Sequence, residues 1–147
     1  MIAETLQAKI GEALKAKDEV RLSTLRLLSS AFNYEFIAKQ HKLTEEEEIA
    51  VIQREVKRRR DAIEAYEKGG AADRAEKEKR EMEILQEFLP EQLSDADLAK
   101  LVDEAVTETG AKSLSDMGKV MGQVMAKASG KADGGRVSAL VKSRLQE

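Results

Sequence analysis

The residues of this chain whose types and spacing suit chemistry lie near its C-terminus, in MGKVMGQVMAKASGKADGGRVSALVKSRL (residues 117 to 145). Placed on a helix, the part up to Ala128 sorts into three strips: apolar Met117, Val120, Met121, Val124 and Ala128; small Gly118, Gly122 and Ala126; polar Lys119, Gln123 and Lys127. Lysines held about two turns apart on one strip suit the binding of anions, not the making or breaking of bonds. Each interior glycine costs about 1 kcal/mol relative to alanine, so two on one flank imply close approach by something, either another helix or an RNA backbone.

SGKADGG (residues 129 to 135) follows, with Gly130 and Lys131 at the start of a glycine-rich turn that precedes a further helix. It lacks the GxxxxGK[ST] spacing of a phosphate-binding P-loop, and Asp133 is placed to cap the last helix and so fill the anion position itself. REVKRRRD (residues 54 to 61) is the densest basic run. Glu55 with Arg59, Lys57 with Asp61 and Arg60 with Glu64 stand four apart, which reads as a solvated face of intrahelical pairs. Arg59 also falls in the stripe of Ile52, Val56 and Ile63, which points to an inward arginine satisfied by a carboxylate. Glu76, Glu83 and Glu87 alternate with cations along EKEKREMEILQEF (76 to 88), with no nucleophile or oxyanion donor to work with. We therefore expect no catalytic residues and no enzyme activity from the chain itself.

Cysteine is absent and His41 is the only histidine, which removes disulfides, thiolate metal sites and multi-histidine ligand sets. No metal and no cofactor is expected, and His41, in the polar connector QHK, is expected to be solvated. No apolar window approaches a membrane span or a signal sequence, so the expected location is the cytoplasm, without membrane contact. The net charge is −3, which argues against indiscriminate coating of nucleic acid. Residues 111 to 147 carry seven Lys and Arg against three Asp and Glu, a local +4 that suggests a directed anionic partner.

These groups must be positioned by helices. Aromatics make up 3% of a chain of 147 residues rich in Ala, Glu, Lys, Leu and Arg, a mixture that gives β-sheets little to pack. The first helix carries Ile2, Leu6, Ile10, Ala13 and Leu14. Asp18 caps a second, running to about Ala38, with one stripe of Leu22, Leu25, Phe32 and Phe36 and another of Val20, Leu27, Ala31 and Tyr34, as expected of a helix surrounded by others. Thr44 and Glu47 form a capping box for a third, stopped by Gly69-Gly70, and the fourth runs to Leu89, ahead of Pro90. Ser94 with Asp97 opens the fifth, ended by Gly110; the sixth starts near Ser113 or Ser115 and the seventh near Asp133. The expected fold is all-α, with a four-helix N-terminal domain (1 to 92) and a small C-terminal three-helix bundle (93 to 147).

Four phrases in this order resemble the YqeY-like proteins over essentially the whole chain: AKDEVRLSTLRLL (16 to 28), QREVKRRRDAIEAYEKG (53 to 69), EILQEFLPEQLS (83 to 94) and residues 116 to 145. The resemblance implies that the C-terminal part is similar to the tail domain of GatB, a subunit of tRNA-dependent amidotransferases. Gly122 to Met125 match its VGQVMK phrase, and Gly130, Lys131 and Ala132 its GKA; Asp133-Gly134 stand where that tail tends to have Asn-Pro. By this resemblance the tail would hold tRNA, while the catalytic parts of those glutamine-dependent carbon–nitrogen ligases have no counterpart here.

The expectation is an accessory protein that binds tRNA or other structured RNA through Gly118, Lys119, Gly122, Gln123, Lys127, Gly130 and Lys131. Five aromatics leave little for base stacking, so recognition would be by shape and phosphate, and no DNA is expected as partner. The alternative is a helical module in which Gly118, Gly122 and the methionines dock a protein partner.

Overall fold

Side-chain caps open some of the helices, and left-handed residues close some of them. In a computed structural model, which describes residues 1–146, the chain forms α1 (Ile2–Lys15), α2 (Glu19–Lys39), α3 (Glu45–Lys68), α4 (Ala72–Gln86), α5 (Asp95–Thr109), α6 (Met117–Ala128) and α7 (Gly134–Gln146). The protein is all-α, with no strand among the described residues. The side chain of Asp18 accepts from the Arg21 N–H at 3.1 Å, that of Thr44 from Glu47 at 3.2 Å, and that of Ser94 from Asp97 at 3.1 Å. Gly110, at φ +66°, closes α5.

The chain divides into two compact units, Met1–Leu89 and Pro90–Glu147. In the first, Leu6, Leu25, Leu28, Phe32, Val51, Ile52, Val56 and Leu85 meet in one core drawn from α1, α2, α3 and α4. In the second, Leu98, Val102 and Ala105 of α5, Val120, Val124 and Ala128 of α6, and Val137 and Val141 of α7 close a core with no aromatic residue.

Several sequence expectations are corrected. One face of α2 is covered, but Leu27, Tyr34, Phe36 and Ile37 are exposed. The neighbours α1, α3 and α4 bury Thr24, Leu25, Leu28 and Phe32, and none of these three covers the remaining face. Leu14 is likewise 56% exposed, at the end of α1. Helix α4 stops at Gln86; Phe88 and Leu89 donate to Leu85 and Gln86 in tightened turns before Pro90. Helix α6 starts at Met117, two residues past Ser115. A 3-10 turn (Leu114–Asp116) precedes α6, the two serine hydroxyls bond each other at 2.7 Å, and the Asp116 carboxylate accepts from the Lys112 N–H at 3.0 Å. His41 is exposed but engaged, with Nδ1 2.8 Å from the Lys42 carbonyl oxygen and Nε2 3.5 Å from Glu47.

In the basic run on α3, Glu55 pairs with Arg59 at 3.0 Å and Lys57 with Asp61 at 3.2 Å, as their spacing predicts, and Glu64 also meets Lys68 at 2.9 Å. Arg59 is buried and faces α4, with its Nε 3.5 Å from the carboxylate of buried Glu81. That separation is electrostatic contact without hydrogen-bond geometry, so Nε is left without a hydrogen-bond acceptor. Lys79–Glu67 at 2.9 Å adds an outer pair across the same antiparallel hairpin.

Burial, and then the charge of Glu81, pushes the Glu78 carboxyl above the usual glutamate range. A carboxyl raised by folding binds its proton more readily in the native state, so its ionisation opposes folding as pH climbs through and beyond the ordinary glutamate value. Glu78→Gln should therefore raise the thermal midpoint at pH 7. The gain should fade in melts at pH 4 and below, where wild-type Glu78 is protonated in both states.

Candidate nucleic-acid interface

Helix α6 is held by its apolar strip. Val120, Val124 and Ala128 are fully buried, which turns the other two strips away from the core. Gly118 and Gly122 are exposed, and a Cβ built on either would meet nothing within 4 Å. Packing inside the chain is thus not what the small strip serves; the α6 flank is open to a partner from outside.

The polar strip is partly occupied. Glu108 of α5 takes Lys127 Nζ at 3.1 and 3.2 Å through its two oxygens and also accepts from the Gln123 amide. Lys127 and Glu108 are well exposed, so this pairing is worth at most about 1 kcal/mol and an incoming anion could displace it. Lys119 is exposed and has no ion pair among the described residues. The Lys112 backbone N–H, with a smaller contribution from nearby Lys119, holds the Asp116 carboxyl below its usual range.

The turn after α6 is built on two successive left-handed residues, Ser129 at φ +46° and Gly130 at φ +82°. Its backbone is tied down from the segment before α5. The Gln92 amide donates to the Gly130 carbonyl at 3.1 Å, and the Leu93 N–H to the Lys131 carbonyl at 2.8 Å. Leu93 is gripped from its other side as well, because Arg136 Nη2 donates to its carbonyl at 3.0 Å and to Asp95 at 2.8 Å. Ala132 is buried, while Lys131 is exposed. Asp133 accepts from the Arg136 N–H at 3.1 Å, so the N-terminus of α7 is capped by the chain's own carboxylate, as its position predicts.

Gln92, Leu93, Arg136 and Glu108 shape this surface without figuring among the sequence candidates. Arg136 and Glu108 carried a signal in their charges; Gln92 and Leu93 act over about forty residues of chain, largely through backbone groups that no local pattern announces. The charge balance also shifts. From Pro90 on there are eight Lys and Arg against nine Asp and Glu, a net −1, because α5 is acidic. Three of the cations counted in the basic end answer acids of α5: Arg136 with Asp95, Arg144 with Asp103, and Lys127 with Glu108.

The open flank has a measurable consequence. Gly122→Ala puts a methyl group into free space on a helical backbone, so it should stabilise the protein by about 0.5–1 kcal/mol. Urea unfolding of the full chain checks this; destabilisation would mean that the flank is packed.

An uncharacterized protein of Schizosaccharomyces pombe is 29% identical over 89 residues, 60% of this chain and 72% of that protein. Altered inheritance of mitochondria protein 41, mitochondrial, of Vanderwaltozyma polyspora is 27% identical over 120 residues, 76% of this chain and 64% of that relative. The chain thus spans just under two thirds of the Vanderwaltozyma protein. A family model described as Yqey-like protein matches residues 3–145, nearly end to end, and the chain therefore belongs to the Yqey-like protein family.

Proposed function

We propose that the chain is a non-enzymatic accessory protein whose C-terminal part acts as a GatB-tail-like module for tRNA or another folded RNA. The observation that carries this reading is the open flank of α6, where Gly118 and Gly122 leave room for a backbone beside the exposed Lys119 and Lys131. Phosphate oxygens would replace Glu108 at Lys127 and Gln123. The net −1 of this part disfavours nonspecific coating and favours one docking orientation, with α5 turned away. The second unit has no aromatic residue, which leaves shape and phosphate as the means of recognition. We place this work in the cytoplasm. A second reading, a protein-interaction module, draws on the exposed Leu27, Tyr34, Phe36 and Ile37 of α2.

The module is also proposed to fold alone. A fragment starting at Pro90, which keeps Gln92 and Leu93, should melt cooperatively by circular dichroism with a stability of only a few kcal/mol. Loss of cooperativity would reject the two-domain division.

For the RNA surface, anisotropy of labelled tRNA at several salt concentrations is the measurement. Each phosphate contact removed among Lys119, Lys127 and Lys131 should lower the magnitude of the slope of log affinity against log salt by ~0.7 to 0.9, and reversing all three to Glu should abolish binding. Glu108→Gln should tighten it by releasing Lys127. Gly122→Leu should weaken it with the slope largely intact, and Arg58→Glu on α3 should change little. Full binding by the triple-Glu protein would sink this reading and favour the protein partner.

A further inference from the structure

Between α2 and α3 of the first unit runs an open groove of about 460 Å³. Its α2 wall is Leu27, Ala31 and Tyr34, spaced by four and then three residues, so they stand on one line of the helix. Leu27 is 53% and Tyr34 77% exposed, while buried Val51 lines the groove from α3. An aligned apolar ridge left in solvent beside a groove is the mark of a surface that another molecule covers.

The α3 wall is charged, and its charges are layered. Arg54 Nη2 donates to Glu35 at 2.8 Å, and Arg58 Nη1 donates to Glu55 at 3.2 Å. The two arginine side chains are 59% and 76% exposed and the two carboxylates 19% and 16%, so what this wall presents to solvent is guanidinium. Glu55 is also taken by buried Arg59 at 3.0 Å, and Lys39, one turn beyond Glu35, lies near enough to act on that carboxylate. A guanidinium carries five N–H donors in one plane, so a carboxylate beneath it does not exhaust it for an anion arriving from above.

We propose that this groove is a docking site for an amphipathic helix of a partner protein, whose apolar ridge lies against Leu27, Ala31 and Tyr34 and whose acidic flank meets Arg54 and Arg58. The shape selects a helix. Two helical walls offer a furrow for the side-chain ridge of a third, whereas an extended peptide would find no sheet edge on which to make main-chain hydrogen bonds. The charge selects the flank, because Arg54 and Arg58 stand one turn apart and match Asp or Glu at the same spacing. This gives the protein-interaction reading of α2 a place and a partner chemistry, and it is independent of the RNA reading.

The test is anisotropy of a labelled alanine-based peptide of about 18 residues, long enough to hold a helix, against the full chain. The peptide carries leucines at the spacing of Leu27, Ala31 and Tyr34 and glutamates one turn apart beside them; a twin carries lysines in place of the glutamates. The glutamate peptide should bind at least about tenfold more tightly than its twin. Arg54→Gln with Arg58→Gln should erase that preference, and Tyr34→Ala, at an exposed position, should weaken both peptides about fivefold or more. Phe36→Ala, on another side of α2, should change neither. No saturable binding of the glutamate peptide, equal binding of the twins by the wild type, or an undiminished preference in the double Gln variant would each overturn the proposal. Binding lost in Phe36→Ala but kept in Tyr34→Ala would overturn this groove and keep α2 as a protein-binding face. Two further outcomes would reassign the groove and overturn the proposal: weakened tRNA binding in Arg58→Glu, to RNA, and sedimentation showing a dimer that Arg58→Glu dissociates, to a second copy of the chain.

Discussion

A chain with five aromatic residues has to close its cores with leucine, valine, isoleucine and alanine, and most other features follow from that constraint. Short aliphatic side chains fill the space between helices only when backbones lie close, and they favour helices over sheets. Less apolar area is buried per residue than bulky rings would give, so polar contacts at helix ends and between helices carry more of the specification. The caps of Asp18, Thr44 and Ser94, the carboxylate of Glu48 on the start of α1, and Arg59 between Glu55 and Glu81 belong to this second set.

The same economy shapes the second unit. Its core is a column of small residues on α5, α6 and α7, so the turn after α6 cannot be fixed by bulk. Backbone exchange fixes it, with Leu93 bonded to Lys131 on one side and to Arg136 on the other. Lys131 thereby sits on a turn tied by hydrogen bonds while its side chain stays in solvent, which under the proposed RNA reading would let it meet a phosphate with little reorganisation. Glu108 plays the complementary part, holding Lys127 and Gln123 in place.

What the sequence made legible was whatever local rules govern. The helices, the Ser94 and Thr44 caps, the stop at Gly110 and the inward arginine at position 59 all follow from spacing within one or two turns. The outward strips of α6 were legible for the same reason, since its apolar strip fixes its rotation. What failed depended on neighbours. The second stripe of α2 resembled a buried one, and only the placement of α1, α3 and α4 leaves Leu27 and Tyr34 outside. Glu81 looked like a member of an ordinary charge run, and its burial, like that of Glu48, comes from the helices that pack over it. The expected basic end dissolved because α5, read as its own element, supplies the opposing charges.

Two of those charge pairs carry a consequence of their own. Asp95 pairs with Arg136 and Asp103 with Arg144, so both partners advance by eight residues, about two helical turns, in the same direction. Helices α5 and α7 therefore run parallel with matched rulers along one seam. Sliding α7 by one turn along α5 would bring the two arginines opposite Ala99 and Thr107, or opposite Glu91 and Ala99, and would forfeit one or both contacts at once. The close-packed core, with Leu98 and Leu145 among its valines and alanines, favours the same register, and the two exposed pairs add at most about 1 kcal/mol each to it. In this bundle charge and packing mark the same alignment.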